Sequence, residues 1–218
     1  MLEGGGDITR LTNQISLHAL SVDVSLIDAR RLALVEQVGL GDAISCAGEH
    51  DRQNRGSRAE CNQDAIANAD PAADYPSACL GLGATIETDK RKIEADKFFT
   101  GMFETALKAG EIITAVHFPI PKKSAHQKFP NPASRYALTG VFVSQDANGK
   151  VRVGVTGAAA SAFRATDFEA ALSKDFSAKA ISGIKISPQG LMSDMHATAA
   201  YRAHLISVLA GRAVTAAN

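Results

Sequence analysis

Hydrophobic and polar positions alternate most regularly between residues 137 and 156. Three valines between residues 151 and 155 occupy every second position, which is the period of a half-buried β-strand. Asn148-Gly149 lies just before them, and this pair favours the tight turn of a hairpin. The pattern therefore predicts a hairpin of two antiparallel strands, over residues 137–144 and 151–156.

Shorter apolar runs in the preceding segment also have the length of single strands. Residues 84–87 and 91–95 flank a Thr88-Asp89 turn, and a third run covers residues 111–118. Prolines directly after residue 118 end the third run, because proline cannot donate to a sheet. We therefore expect three further short strands here.

The segment over residues 96–107 has a different spacing of large apolar residues. Phe98, Phe99, Met102 and Phe103 recur at intervals that place them on one side of a helix. This spacing predicts a short helix or an ordered loop that buries the four side chains together.

A helix is expected over residues 71–82. Asp70 before it can accept hydrogen bonds from free N–H groups, and Pro71 suits the first helical position. Gly83 follows the last apolar residue, where glycine commonly ends a helix.

The last third of the chain carries further helical patterns. Thr166 and Glu169 have the spacing of a capping box, which predicts a helix ending near residue 173. A short helix is expected over residues 177–184, and Ser193 or Asp194 is expected to begin the last helix. Strand and helix runs mix along the chain rather than alternate, so the predicted fold class is α+β.

The first 64 residues give weaker signals. Apolar residues between 25 and 40 recur at roughly helical spacing. Residues 48–64 are almost wholly polar, which predicts a long loop.

The charge balance limits the partners that the sequence can favour. The 218 residues include 23 Lys+Arg and 23 Asp+Glu, so the net charge is zero. Nucleic-acid and anionic-membrane binding both need a basic surface, so we expect neither. No apolar run approaches the roughly 18 residues of a membrane-spanning helix. The N-terminus has no basic region followed by an apolar stretch, and a cytoplasmic protein is expected.

The cysteine and histidine spacings favour no metal site. Cys46, Cys61 and Cys79 are odd in number and far apart, unlike a disulfide framework or an iron–sulfur motif. His196 and His204 lie two helical turns apart, and no third ligand has suitable spacing. No serine has a histidine and an acid in a recognisable arrangement, so no catalytic side chain is assigned.

The segment over residues 67–76, Ala-Asn-Ala-Asp-Pro-Ala-Ala-Asp-Tyr-Pro, is the strongest candidate for ligand binding. Small residues before a helix N-terminus let a ligand approach free backbone N–H groups. Asp70 and Asp74 would lie one turn apart, so both carboxylates could face one pocket. The alternative interpretation is a capped helix with a solvated aspartate.

This segment resembles the second flavin-binding segment of the FAD-carrying medium subunit of molybdenum hydroxylases, the carbon monoxide dehydrogenase and xanthine dehydrogenase group. Residues 98–107 with 110–113 resemble the family's "FFTG-FETAL-PGEII" run, and residues 131–137 resemble its "NPASRYA" run. The resemblance extends from about residue 66 to the C-terminus, with several motifs in order.

The N-terminal third departs from the family pattern. Family members begin with a subdomain that carries a Gly-rich pyrophosphate loop. This chain has no such loop, so an N-terminal truncation is expected, with the first subdomain missing and the second present. Residues 54–57, Asn-Arg-Gly-Ser, match part of the second phosphate loop. Gln63 and Asp64 stand where the family has two glycines, and their side chains should hinder a pyrophosphate.

The resemblance implies a division of the chain and a set of cofactor contacts. Residues 1–122 would form a partial FAD-binding α/β subdomain. Residues 123–218 would form a C-terminal domain with a small antiparallel sheet and packed helices. The implied FAD contacts are Ser57, Asn68, Ala69, Asp70, Asp74 and Arg135.

The resemblance also implies a function carried out with partners. The chain would pass electrons through FAD to an external acceptor. The electrons would come from a molybdopterin centre on a large subunit through [2Fe-2S] clusters on a small subunit, in a hetero-oligomer. Two alternatives stay open: a truncated relative that folds without holding FAD and acts as a docking subunit, and an α+β domain with neither cofactor nor partner.

Overall fold

The computed structural model describes residues 65–218 and the backbone of residues 20–22. The strands are β1 (Leu20–Val22), β2 (Thr85–Thr88), β3 (Lys92–Glu94), β4 (Phe99–Gly101), β5 (Glu104–Thr105), β6 (Ile113–Phe118), β7 (Lys123–Pro130), β8 (Ala137–Gln145), β9 (Val151–Thr156) and β10 (Phe163–Arg164). The helices are α1 (Tyr75–Leu82), α2 (Thr166–Leu172), α3 (Ala178–Ile181) and α4 (Ala199–Ala217), with a 3₁₀ turn over Ala95–Lys97. Helices and antiparallel sheets together confirm the predicted α+β class.

Two four-stranded antiparallel sheets organise the described part of the chain. The first has the order β1-β6-β2-β3 and the second has the order β10-β9-β8-β7. Strands β4 and β5 form a small separate hairpin. The predicted hairpin is confirmed as β8 and β9, which pair from Gly140 with Thr156 to Gln145 with Val151.

Helix α1 packs against both sheets. All of its residues are buried, and Ala78, Cys79 and Leu82 share a core with Ile86 of the first sheet and Phe142 of the second. A helix that is buried all round lacks a polar face, and this agrees with its sequence, YPSACLGL. A second core lies between the second sheet and helices α2 and α4.

Glycine at position 154 allows α1 to approach β9 closely. A Cβ atom built on Gly154 would lie 2.1 Å from the carbonyl oxygen of Ser77 in α1. No side chain fits in that space, so the helix and the strand pack backbone against backbone.

The predicted start of α1 at Pro71 is wrong, and its predicted end is confirmed. The Asp70 carboxylate accepts the N–H of Ala72 at 2.9 Å, so it caps an isolated turn rather than a helix. The helix begins at Tyr75, with Pro76 in its first turn. Gly83 ends it in the left-handed region, with φ of 69°.

The helix or ordered loop predicted over residues 96–107 is instead the 3₁₀ turn followed by the β4–β5 hairpin. Its large apolar residues do not share a side, because Phe98 is fully buried whereas Met102 and Phe103 are 48% and 62% exposed. Thr100-Gly101 disfavours a helix, and Phe103 has a positive φ of 56° that turns the chain back.

The predicted beginnings of α2 and α4 also need correction. Glu169 is buried and accepts the N–H of Val153 at 2.9 Å, so it binds strand β9 rather than completing a capping box. Helix α4 begins after Thr198, whose side chain accepts the N–H of Tyr201, and not at Ser193 or Asp194. The short helix predicted over residues 177–184 is confirmed as α3, but it covers only Ala178–Ile181, and the Ser177 side chain caps it by accepting the N–H of Ala180.

Strand β7 was not predicted. It pairs with β8 from Lys123 opposite Gln145 to Pro130 opposite Ala137, at the edge of the second sheet. The predictions for residues 25–40 and 48–64 lie outside the described residues. Within the part of the chain that is described, no helix has both the length and the apolar character needed to cross a membrane.

Candidate functional site

The segment from residue 65 to residue 74, here called the 65–74 loop, is helical at residues 65–67 and is attached to the second sheet through its backbone carbonyls. Pro71 O accepts the N–H of Gly157 at 2.7 Å and the hydroxyl of Thr156 at 3.0 Å. The same hydroxyl lies 2.6 Å from Ala73 O, and the N–H of Ala137 donates to Ala72 O at 3.2 Å. The ends of β8 and β9 therefore fix the path of this loop.

The side chains of the 65–74 loop are mostly small. Ala69 is buried and has a positive φ of 47°, a conformation uncommon for residues other than glycine. Asn68 next to it is exposed, so its amide is accessible from solvent. Non-glycine residues in this backbone region cluster at ligand-binding sites, where the surrounding structure holds them in place.

Asp74 is the buried carboxylate of the site. It is 1% exposed, and its Oδ2 atom lies 2.5 Å from the ammonium of Lys128 on β7. The Nε2 atom of His126, also buried on β7, lies 4.0 Å from Asp74 Oδ1. A charge this far from water is retained where a partner of opposite sign holds it, as Lys128 does here.

Asp70 and Asp74 are not arranged as the sequence suggested. The helical turn that would have placed both carboxylates on one side does not form, because α1 begins only at Tyr75. Asp70 caps its local turn, whereas Asp74 pairs with Lys128.

Arg135 lies in the turn between β7 and β8. It is exposed and has a positive φ of 65°, and its N–H donates to Asn131 O at 2.9 Å. Two residues later, Ala137 bonds to the 65–74 loop, so the chain brings this turn and the loop together. Ser57, the remaining candidate, lies outside the described residues.

Sequence reasoning missed Lys128 and His126. Both lie on β7, two residues apart, and alternate residues of a strand share a face. Recognition of residues 123–130 as a strand would have placed both side chains on the same side of it. The pairing with Asp74 spans 54 positions of sequence and leaves no local signal.

Comparisons with known proteins show the family to which the chain belongs. Residues 6–121 match the family described as the FAD binding domain in molybdopterin dehydrogenase. The nicotine 6-hydroxylase medium subunit of Paenarthrobacter nicotinovorans is 29% identical, and the match covers all of this chain and 77% of that protein. The glyceraldehyde dehydrogenase medium chain of Sulfolobus acidocaldarius is 30% identical, over 68% of this chain and 58% of that one.

Solved structures share the fold. Quinoline 2-oxidoreductase from Pseudomonas putida 86 matches with a TM-score of 0.69 and 23% identity, over 88% of this chain and 70% of that chain. CO dehydrogenase from Oligotropha carboxidovorans matches with a TM-score of 0.61 and 25% identity, over 72% and 60%. The chain therefore belongs to the family of FAD-binding domains of the molybdopterin dehydrogenases, which are oxidoreductases.

Proposed function

We propose that the chain is the FAD-binding electron-transfer subunit of a molybdenum hydroxylase. It would receive electrons from molybdopterin and [2Fe-2S] centres on a large and a small partner subunit and deliver them to an external acceptor. The names of its relatives support this, because "medium subunit" and "medium chain" describe one component of a larger enzyme. We further propose a cytoplasmic hetero-oligomer.

The observation that carries the proposal is the Asp74–Lys128 pair at the end of the 65–74 loop. Asp74 is buried, while the Lys128 side chain is 20% exposed, so the pair reaches from the interior toward solvent. The flavin ring system carries hydrogen-bond donors, acceptors and an apolar face. The buried carboxylate, the ammonium and the small side chains of the loop fit these groups in chemical type.

Each assigned residue of the 65–74 loop would contribute differently to FAD binding. Asn68 would bind the cofactor through its exposed amide, and the positive φ of Ala69 would present the neighbouring peptide groups. Asp70 would hold the turn through its bond to Ala72. Asp74 would accept a hydrogen bond from the ribityl chain or the ring edge, and Arg135 and Ser57 would complete the site.

Bound FAD would supply the redox chemistry, since it can take up and release electrons. The protein would contribute binding, orientation and electrostatics, with no acid, base or nucleophile of its own. The substrate of the complex would be chosen at the molybdenum centre of the large subunit.

We also propose a domain boundary between β6 and β7. Residues 1–122 would form the partial FAD-binding domain, and residues 123–218 the C-terminal domain. Under this division, the 65–74 loop belongs to the first domain but is held by β8 and β9 of the second. The cofactor site would then need both domains.

A second candidate function rests on residues 63 and 64. Gln63 and Asp64 replace two glycines of the family's phosphate loop, which would place bulk and negative charge beside a pyrophosphate. In this case the chain would fold and dock with its partners without holding FAD.

Cofactor content separates the two candidates. The purified chain is freed of unbound small molecules and denatured, and the released flavin is identified by chromatography and quantified by absorbance. About one FAD per chain, before or after reconstitution, supports the first candidate. No FAD after reconstitution supports the second, and co-purification with molybdenum-bearing and iron–sulfur chains tests the proposed partners.

A further inference from the structure

Arg202 is a buried cation that the proposed cofactor contacts do not include. It lies in the first turn of α4 and is 2% exposed. Its Nη1 atom donates to Leu138 O at 2.5 Å and to Gly157 O at 2.7 Å, and its Nη2 atom lies 2.6 Å from Asp194 Oδ2. One guanidinium group thus joins the start of β8, the end of β9 and the segment before α4.

The two carbonyls that Arg202 binds adjoin the groups that hold the 65–74 loop. Gly157 accepts from Arg202 through its carbonyl and donates to Pro71 through its N–H. Leu138 directly follows Ala137, whose N–H donates to Ala72. Both residues that accept from Nη1 are therefore close to a hydrogen bond to the loop: Gly157 makes one itself, and Leu138 is next to Ala137, which makes the other.

Gly157 connects the Arg202 contact to the loop contact, because its backbone conformation is fixed by its surroundings. It has a positive φ of 76°, and a Cβ atom at this position would lie 2.5 Å from Ala137 O. Any other residue would be strained and would clash with backbone. The peptide groups on both sides of Gly157 are thus held in one orientation, one toward the loop and the other toward Arg202.

Asp194 fixes the guanidinium from the other side. Its Oδ1 atom accepts the N–H groups of His196 and Ala197 at 2.9 and 3.0 Å, which orients its Oδ2 atom toward Arg202. These backbone bonds and the nearby Arg202 charge hold the pKa of Asp194 below its usual range. The carboxylate therefore stays charged at neutral pH and balances the buried cation.

We propose that Arg202 is a positioning residue for the flavin-binding loop, acting through Gly157 and Ala137. This inference rests on the proposed function, because it gives Arg202 a role in cofactor retention as well as in folding. The predicted consequence is that loss of the Arg202 bonds loosens the 65–74 loop and weakens FAD binding more than it weakens the rest of the fold.

The test compares variants on the same helix. Arg202→Met removes the three hydrogen bonds, and Arg202→Lys keeps the charge with fewer donors. Leu209→Ala is the matched control, because Leu209 is buried on α4 but belongs to the core between the helix and the second sheet. Asp194→Asn, at a 40% exposed side chain, gives a milder loss if Arg202→Met fails to fold.

Three measurements are made on each variant of the 218-residue chain. The first is the thermal midpoint, and the second is the amide hydrogen exchange of residues 66–75 without FAD. The third is the FAD dissociation constant, measured together with the visible circular dichroism of the bound flavin. We expect Arg202→Met to weaken FAD binding by about tenfold or more and to speed exchange of the loop, since bonds to a charged donor are lost. Arg202→Lys should recover part of both effects. Leu209→Ala should lower the thermal midpoint without either effect.

The outcomes separate this inference from the proposed function. Equal loop exchange and equal FAD affinity in Arg202→Met and Leu209→Ala, at matched thermal midpoints, would overturn the role of Arg202. If the unmodified chain binds no FAD while Arg202→Met still loosens the loop, the proposed function fails and the positioning of the loop by Arg202 is supported.

Discussion

The ammonium of Lys128 lies 2.5 Å from Oδ2 of Asp74, and this contact joins an edge strand to the residue that precedes α1. Within the described part of the chain, strand β7 bonds to one neighbouring strand, β8, along its length. A charge pair from this strand to a buried carboxylate therefore attaches it to the segment before α1 as well as to β8. Asp74 is also the last residue of the 65–74 loop, to which we assign FAD binding, so the pair links stability with the proposed site.

Replacement of Lys128 by Met should destabilise the protein. The substitution keeps the aliphatic volume but leaves the buried carboxylate of Asp74 without its ammonium partner. We expect a loss of about 2 kcal/mol in the free energy of unfolding, because a hydrogen bond to a charged group is lost and Lys128 is only partly exposed. Urea unfolding monitored by far-UV circular dichroism measures the change.

The double variant Asp74→Asn, Lys128→Met identifies the origin of that loss. If the pair is the cause, the second substitution adds little to the first, and the two effects are not additive. Lys174→Met, at an exposed lysine, is the control for removal of a surface charge. Full additivity of the two single variants would contradict a direct coupling between Asp74 and Lys128.

Alanine at position 154 should disrupt the packing of α1 on β9. The added Cβ would lie 2.1 Å from Ser77 O and 2.9 Å from the backbone nitrogen of Gly81, and both contacts are with backbone that cannot rotate away. Helix and strand must separate, and we expect a loss of about 3 kcal/mol in the free energy of unfolding. Chemical denaturation checks this value.

Gly211→Ala is the matched control for that substitution. Gly211 lies in α4, and nothing is within 4 Å of the position its Cβ would take. Alanine is the better helix former, so this variant should be neutral or stabilised by up to about 1 kcal/mol. Equal losses at positions 154 and 211 would show that close approach of α1 is not the cause.

Local signals were sufficient to predict the β8–β9 hairpin and the end of α1. The turn at Asn148-Gly149 and the alternating valines depend on neighbours in sequence, and so does the left-handed conformation of Gly83. Strand β7 has no such signal, because its sequence, KSAHQKFP, is mostly polar. Its strand conformation comes from pairing with β8, and a hydrophobic periodicity within residues 123–130 does not predict that pairing.

Helix beginnings were the least predictable feature, because polar side chains have several possible partners. Asp70, Glu169 and Asp194 all have types and spacings that favour caps. In the structure, Asp70 caps a separate turn, Glu169 binds Val153 and Arg164, and Asp194 binds Arg202. Glu169 and Asp194 therefore do not act as predicted caps, because the tertiary fold places a basic side chain or a strand N–H within reach of their carboxylates.

The candidate site was found only in part for the same reason. The small residues and aspartates of residues 67–76 are visible in the sequence. The attachment of this segment to Thr156 and Gly157 bridges more than 80 positions, and so could not be predicted from local patterns. The assigned FAD contacts remain predictions that binding experiments must test.

The Cys79 thiol should be inert in the folded protein. It is fully buried in α1, and burial raises its pKa far above the usual range, so the reactive thiolate is not formed at neutral pH. We expect no labelling of Cys79 by iodoacetamide at pH 8 under native conditions and complete labelling in guanidinium chloride. Peptide mass mapping distinguishes it from Cys46 and Cys61. Native labelling at the rate of a free thiol would contradict the packing of α1.

The Glu111 carboxylate should contribute to stability in a pH-dependent way. The Arg91 guanidinium, at 2.9 Å, lowers its pKa most, and the N–H of Lys108 and the hydroxyl of Thr88 assist, giving a pKa of about 2 against 4.5 without these contacts. Because the folded pKa is the lower one, the contribution is complete above pH 4.5 and is lost as the pH falls toward 2.

Urea midpoints between pH 7 and pH 2 should therefore fall more for the unmodified chain than for Glu111→Gln, and the two should converge at the acid end. Arg91→Met should move the loss to higher pH, since it removes the largest cause of the shift. A constant difference between the unmodified chain and Glu111→Gln across this range would contradict the assignment.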